Sequence, residues 1–199
     1  MHRRLLTLVF VFLLASAAVA QLVGAQQSTP GVRLHSMSVA DLSASQKILL
    51  SNFCRLDFEG ARLQAAGWNR LKPFTSLKNN PEFERVVVVV RFDVETVERP
   101  SETVRVGYKA VGYYNEIEGY TAISANDYVV FRTQEQHGDL MVTQITPSAP
   151  HVSPRAAVEW MTLRLSDPNV TEPERAHLKD AIAQLSKLVP QPRAATVAQ

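Results

Sequence analysis

The stretch FERVVVVVRFDVETV, residues 83–97, decides the fold class of this chain. Its β-branched residues favour a strand, and alternation gives that strand two faces. One set of residues is predicted to share the core face: Val86, Val88, Val90, Phe92 and Val94. Val87 and Val89 make the start of the strand apolar on its other side as well. The sequence therefore predicts that C-terminal helices or a second subunit cover this outer side.

Downstream, alternating apolar residues and turn signals predict a meander of antiparallel strands. These strands are expected over residues 103–114, 120–124, 128–134 and 140–146. The first follows a turn at residues 99–101, and the last two join through His137-Gly138. In the first antiparallel pair, Arg105 and Lys109 are expected opposite Asp93 and Glu95.

Helices are predicted on both sides of these strands. Ser43 and Gln46 form a capping-box pattern at the start of the first helix. Its apolar face is predicted from four residues at helical spacing: Ile48, Leu49, Phe53 and Leu56. A short second helix over 65–72 is expected to end at Pro73. Two further helices are predicted after the strands, with Ser153 and Thr171 as their N-caps.

Segregated helices and antiparallel strands indicate an α+β domain. We expect two N-terminal helices on a sheet of four to five strands, followed by a C-terminal helical extension. The predicted boundaries are residues 41–147 for the domain and 150–189 for the extension. A flexible lead-in over 21–40 and a disordered tail over 190–199 complete this division.

The first twenty residues have the pattern of a secretory signal peptide. Arg3 and Arg4 precede an apolar run over residues 5–14, and the small residues Ala18 and Ala20 follow. We therefore expect cleavage after Ala20 or Ala25 and a secreted or periplasmic protein. The apolar run is shorter than the roughly 20 residues that span a bilayer, so no stable membrane span is expected after cleavage.

The charge balance limits the classes of binding partner, and the cysteine content limits disulfide formation. The chain has 21 Lys+Arg and 19 Asp+Glu, and removing Arg3 and Arg4 with the leader leaves 19 of each. A neutral domain without a basic block argues against nucleic acid as a partner. Cys54 is the only cysteine, so no intramolecular disulfide can form.

The chain resembles the NTF2-like (cystatin-like, SnoaL-type) superfamily over roughly residues 40–147. The residues that carry the resemblance are FCRLD at 53–57, GARL at 60–63, Gly67-Trp68 and the strands after Pro81. It is most similar to uncharacterised secreted bacterial members with a C-terminal helical extension. The resemblance implies a curved sheet wrapped around the first helices as a cone with an apolar pocket. Some members of the superfamily are isomerases, dehydratases or hydrolases, and many are binding or accessory domains.

Candidate site residues follow from this cone. Asp57 lies at the end of the first helix and, with Tyr108 as hydrogen-bond donor, could act as a base. The alternative for Asp57 is a helix cap or an ion pair with Arg55 or Arg62. Ligand-binding candidates are Trp68, Tyr113 and Tyr128, which could equally be packing residues. No cofactor is expected, and no histidine pair has metal-ligand spacing.

Because no convergent catalytic signature occurs in the sequence, we expect an exported, non-catalytic binding or interaction domain. Its partner would be a small apolar ligand or an envelope protein. One alternative is a cofactor-independent lyase or isomerase acting on a small apolar molecule. Another is a structural envelope component that acts through Val87 and Val89, and homodimerisation through the sheet is a further expectation.

Overall fold

The structure, a computed structural model, describes residues 42–98 and 103–190. The described helices are α1 (Ala44–Phe58), α2 (Ala65–Leu71), α3 (Pro154–Leu165) and α4 (Glu172–Leu185). The described strands are β1 (Val86–Glu98), β2 (Thr103–Asn115), β3 (Gly119–Gln136), β4 (Asp139–Thr146) and β5 (His151–Val152). The order in the sheet is β4-β3-β2-β1-β5, in which β5 runs parallel to β1 and the other neighbours are antiparallel. The domain is therefore α+β, with a curled, mixed five-stranded sheet.

The predicted helix starts are confirmed by their caps. The Ser43 hydroxyl accepts a hydrogen bond from the Gln46 backbone, and the Gln46 side chain accepts one from the Ser43 backbone. Ser153 and Thr171 cap α3 and α4 through one bond each, since each hydroxyl accepts from the backbone N–H of the third residue of its helix. Ile48 was wrongly placed on the buried face of α1, because its side chain is 64% exposed.

The valine run of β1 divides between two cores. Val87 and Val89 belong to the main core, which fills the space between α1, α2 and the concave face of the sheet. Val86 and Val88 belong to a second core, formed with α3 and α4. The predicted assignment of these two pairs was therefore reversed. Both faces of the strand start are covered, as the double apolar pattern predicts.

Irregular register explains the reversal. The pairing of β1 with β2 shifts between Val89 and Arg91, so one extra residue, Val90, interrupts the alternation. Beyond this bulge, Phe92 and Val94 pack against the main core together with Val89, while Val90 is 45% exposed. The predicted core face is therefore correct at Phe92 and Val94 and wrong at three residues: Val86, Val88 and Val90.

The same shifts change the predicted charge pairs. Asp93 lies opposite Gly107, Lys109 lies opposite Arg91, and Arg105 lies opposite Thr96. Asp93 instead contacts its neighbour Arg91, at 3.7 Å. The cross-strand pairing of Arg105 and Lys109 with acidic residues was therefore predicted in the wrong register.

Downstream, the two strands predicted over 120–124 and 128–134 are one continuous strand, β3. The turn that follows it is confirmed: His137 and Gly138 both have positive φ, 55° and 90°, as a two-residue hairpin turn requires. The short parallel strand β5 was not predicted. It gains its strand geometry only by pairing with Val87 and Val88.

Several predictions lie outside the described residues. These are the signal peptide over 1–20, the lead-in over 21–40, the turn at 99–101 and the tail beyond residue 190. Among the helices that the structure describes, none is long and apolar enough to cross a membrane.

Candidate functional site

A buried polar cluster lies where α1 ends against β5. The Asp57 carboxylate accepts a hydrogen bond from the backbone N–H of His151 at 3.1 Å. Its Oδ2 atom also lies 3.8 Å from Nη1 of Arg62. Asp57, Arg62 and His151 are each at most 2% exposed. The ion pair with Arg62 is one of the two non-catalytic roles that the sequence allows for Asp57.

His151 connects this cluster to β3, which lies three positions away from β5 in the sheet. Its Nδ1 atom lies 3.0 Å from the Ala149 carbonyl, and its Nε2 atom lies 3.0 Å from Oδ2 of Asp127. A carbonyl and a carboxylate are both acceptors, so a ring N–H is the complementary group at each contact. The hydrogen bond from His151 lowers the pKa of Asp127.

Arg62 closes the cluster on the side of the loop before β5. Its guanidinium donates to the carbonyl oxygens of Ser148 and Ala149, and its Nε donates to Asn80 at 3.2 Å. Burial raises the pKa of Asp57, while the neighbouring Arg62 and His151 act in the opposite direction. One carboxylate oxygen of Asp57, Oδ1, is buried without a hydrogen-bond partner.

Tyr108 lies beside this cluster. Its hydroxyl donates to the Cys54 sulfur at 3.2 Å, and its ring centre lies 4.3 Å from that of His151. Burial raises the pKa of the Cys54 thiol to about 12 and raises that of Tyr108 well above its ordinary value. Both groups therefore stay protonated near neutral pH, and Cys54 lacks the thiolate that nucleophilic chemistry needs.

The structure thus brings Asp57 and Tyr108 close to the same histidine, which the sequence did not single out. However, Asp57, Tyr108 and His151 are all enclosed, and only Asp127 reaches the surface, with 33% of its side chain exposed. Acid–base catalysis requires a candidate base within reach of its substrate. In this conformation, the cluster offers no open position for a substrate.

The three ligand-binding candidates lie in different places. Trp68 is buried in the main core. Tyr113 lies half-buried under the Arg85 guanidinium, 5.8 Å from its ring centre. Tyr128 is half-exposed and lies against Gly107, with the Arg105 guanidinium 5.5 Å from its ring centre. The structure does not gather them into one site.

A different part of the surface is concave. A groove of about 620 Å³ opens where the end of β2 and the start of β1 meet α3. Its apolar walls come from four side chains: Phe83, Val86, Ile117 and Trp160. Tyr114 lies at its base, with its ring edge-on to Trp160 at a centroid distance of 5.9 Å. We call this surface the Trp160 groove.

Tyr114 is the polar group that distinguishes the Trp160 groove. It is 1% exposed, and its hydroxyl has no hydrogen-bond partner. Burial raises its pKa to about 12, with smaller contributions from the carboxylates of Glu174 and Glu116. A buried hydroxyl without a partner costs free energy, so this position favours a ligand or water that completes the bond.

No family model, curated protein or solved structure matches this chain. The chemistry of the site must therefore be argued from its own residues. Among the residues that the structure describes, no group of three His, Cys, Asp or Glu side chains could hold a metal ion.

Sequence reasoning did not identify the Trp160 groove. Tyr114 is one of five tyrosines in the chain, and Phe83 and Trp160 are 77 positions apart in the sequence. The one signal in the sequence is that two aromatic residues lie next to apolar segments. Phe83 precedes β1, and Trp160 lies within α3. Their meeting depends on how α3 packs on the sheet.

Proposed function

We propose that this protein is an exported binding domain and that the Trp160 groove holds a small amphipathic ligand. The observation that carries the proposal is the unpartnered hydroxyl of Tyr114 at the base of an aromatic groove. The groove volume lies within the range of about 300–1,000 Å³ found for small-molecule sites. Aromatic and apolar side chains with polar groups placed among them are the usual lining of such sites.

Burial of the polar cluster supports binding over catalysis. A lyase or isomerase would need Asp57 and Tyr108 at the wall of an accessible pocket. Asp57 is instead engaged by Arg62 and by the His151 backbone, and Tyr108 donates its proton to Cys54. We therefore place the ligand in the Trp160 groove and assign these two residues to stability.

A relationship to the NTF2-like superfamily is part of the proposal. It is supported by the curled sheet and by α1, whose buried side faces the concave surface. The resemblance implies a pocket inside the cone, and in this domain side chains of the main core fill the space between α1, α2 and the sheet. A ligand site on the second core, next to α3, would then be a feature of this chain.

Nile red, a neutral amphipathic fluorophore, provides the test of binding. We expect saturable binding by the purified protein and loss of at least tenfold in affinity for Trp160→Ala. Tyr114→Phe should cause the same loss of affinity only for ligands that hydrogen-bond to the Tyr114 hydroxyl. That variant therefore also reports how the ligand is oriented in the groove. Tyr128→Ala, which removes an aromatic ring elsewhere on the sheet, is the matched control.

Thermal unfolding of each variant must first establish that it is folded. If folded Trp160→Ala binds Nile red as the wild type does, the Trp160 groove is not the site. If Asp57→Asn abolishes binding while leaving the melting temperature unchanged, the ligand lies on the concave side of the sheet.

A further inference from the structure

The carboxylates that line the Trp160 groove favour a ligand of positive charge. Glu84, Glu116 and Glu118 all line the groove, and Arg85 is the one cationic residue among the described lining residues. The Arg85 guanidinium lies over the ring of Tyr113, which is not part of the lining. An acidic rim of this kind attracts cations and repels anions.

Two of these carboxylates are not neutralised. Glu116 is paired with Arg164 at 3.0 Å. Among the described residues, neither Glu84 nor Glu118 makes an ion pair, and Glu118 has only a hydrogen bond from the Asn115 amide, at 3.0 Å. Each of these two groups therefore retains its attraction for an external cation.

The aromatic walls and the base of the Trp160 groove also favour a positively charged ligand. Phe83 and Trp160 are partly exposed and present aromatic rings, whose faces attract ammonium groups. The Tyr114 hydroxyl has no partner, and its oxygen can accept a hydrogen bond from an N–H of the ligand. Aromatic rings, unpaired carboxylates and an orphan acceptor are three independent features that suit an organic cation.

We propose that the ligand of the Trp160 groove is a cationic amphiphile, with an apolar body against Phe83 and Trp160 and an amine facing Glu84 and Glu118. This inference rests on the proposed function, since it assigns a ligand class to the same groove. The proposal predicts that an amine binds more tightly than an alcohol or a carboxylate with the same apolar body.

Three probes of matched size test the assignment: 4-phenylbutylamine, 4-phenylbutanol and 4-phenylbutyrate. Their affinities are measured by displacement of Nile red from the purified protein. We expect the amine to bind about tenfold more tightly than the alcohol, as a combined ion-pair and cation–π contribution allows. The carboxylate should bind most weakly, and the advantage of the amine should shrink as salt concentration rises.

Charge-neutralising variants locate the effect. Glu84→Gln and Glu118→Gln should each reduce the ratio of amine to alcohol affinity about threefold and leave alcohol binding unchanged. Glu135→Gln is the control, because Glu135 is an exposed acid near the β3–β4 turn and does not line the groove.

The outcomes distinguish this inference from the proposed function. If Nile red binds but the amine shows no advantage over the alcohol, the cationic assignment is overturned and the groove remains a binding site. The assignment also fails if Glu84→Gln and Glu118→Gln change the ratio no more than Glu135→Gln does. If neither Nile red nor any probe binds, both proposals fail.

Discussion

The Nε2 atom of His151 lies 3.0 Å from Oδ2 of Asp127, so residues from β5 and β3 meet across the concave face of the sheet. In a flat sheet, three strand spacings would separate these strands by roughly 14 Å. The contact is therefore a consequence of the curl of the sheet. It links the short strand β5 to β3. Asp127 contacts the ring of His151, whereas Asp57 contacts its backbone N–H.

Asp127→Asn should remove the charge from this contact and lower stability at pH 7 by about 1 kcal/mol. A charge-assisted hydrogen bond contributes roughly 1.5–3 kcal/mol when buried, and the partial exposure of Asp127 reduces that figure through solvent screening. Urea unfolding of the variant and the wild type measures the difference. Equal stability at pH 7 would mean that the contact does not hold β5 to β3.

The same pair predicts a pH dependence. Because His151 lowers the folded-state pKa of Asp127, the stability that it contributes is present above the unfolded pKa of about 3.9. This contribution is lost as pH falls through the lower folded-state value. The difference in melting temperature between wild type and Asp127→Asn should therefore shrink below about pH 4. A difference that stays constant from pH 7 to pH 2.5 would contradict this assignment.

Val87→Asp should destabilise the protein by about 3 kcal/mol or more, because it places an unpaired carboxylate in the main core. Val88→Asp should do the same from the second core, since both valines are buried. Val90→Asp is the matched control, at a half-exposed position, and should cost less than about 1 kcal/mol. Comparable losses for all three variants would show that the bulge at Val90 is misplaced.

Cys54 should be unreactive in the native protein. Its thiol is fully buried and its pKa is raised to about 12, so both access and ionisation are unfavourable. Ellman's reagent should label it only in denaturant, and reductant should leave the melting temperature unchanged. Rapid labelling of the native protein, or a large drop in melting temperature with reductant, would indicate an accessible or cross-linked thiol.

Export is tested at the N-terminus. The leader pattern predicts a mature protein that begins at Gln21 or Gln26. Intact mass spectrometry of the extracellular and periplasmic fractions checks the cleavage position. Recovery of the chain only from the cytoplasm, with Met1 still present, would contradict the prediction.

Local patterns in the sequence predicted most of the elements. Capping residues such as Ser43 and Ser153 act within one turn of their own helix, and the His137-Gly138 turn depends on two adjacent residues. Such short-range hydrogen bonds and backbone preferences can be read without knowing the fold. Errors arose where the register of one strand depends on another, as at Val90.

The candidate site shows the same contrast between what local patterns predict and what depends on contacts between distant residues. Asp57 and Tyr108 were selected from their positions in single elements, and the structure places both beside His151. The sequence contained no sign of His151, because its role depends on a parallel pairing with β1 and on the approach of Asp127. Tyr114 likewise becomes notable only because no neighbour satisfies its hydroxyl.

The sequence alone thus determined the α+β class, the helix starts and the presence of a strand with two apolar faces, because these follow from interactions between residues near one another in the chain. The tertiary structure decided which core each valine enters, which polar groups are enclosed and where an open groove remains. These outcomes depend on strand register, sheet curl and helix packing, which are set by contacts between residues far apart in sequence. Asp57 is consequently enclosed, while Trp160 lines an open groove beside the buried Tyr114.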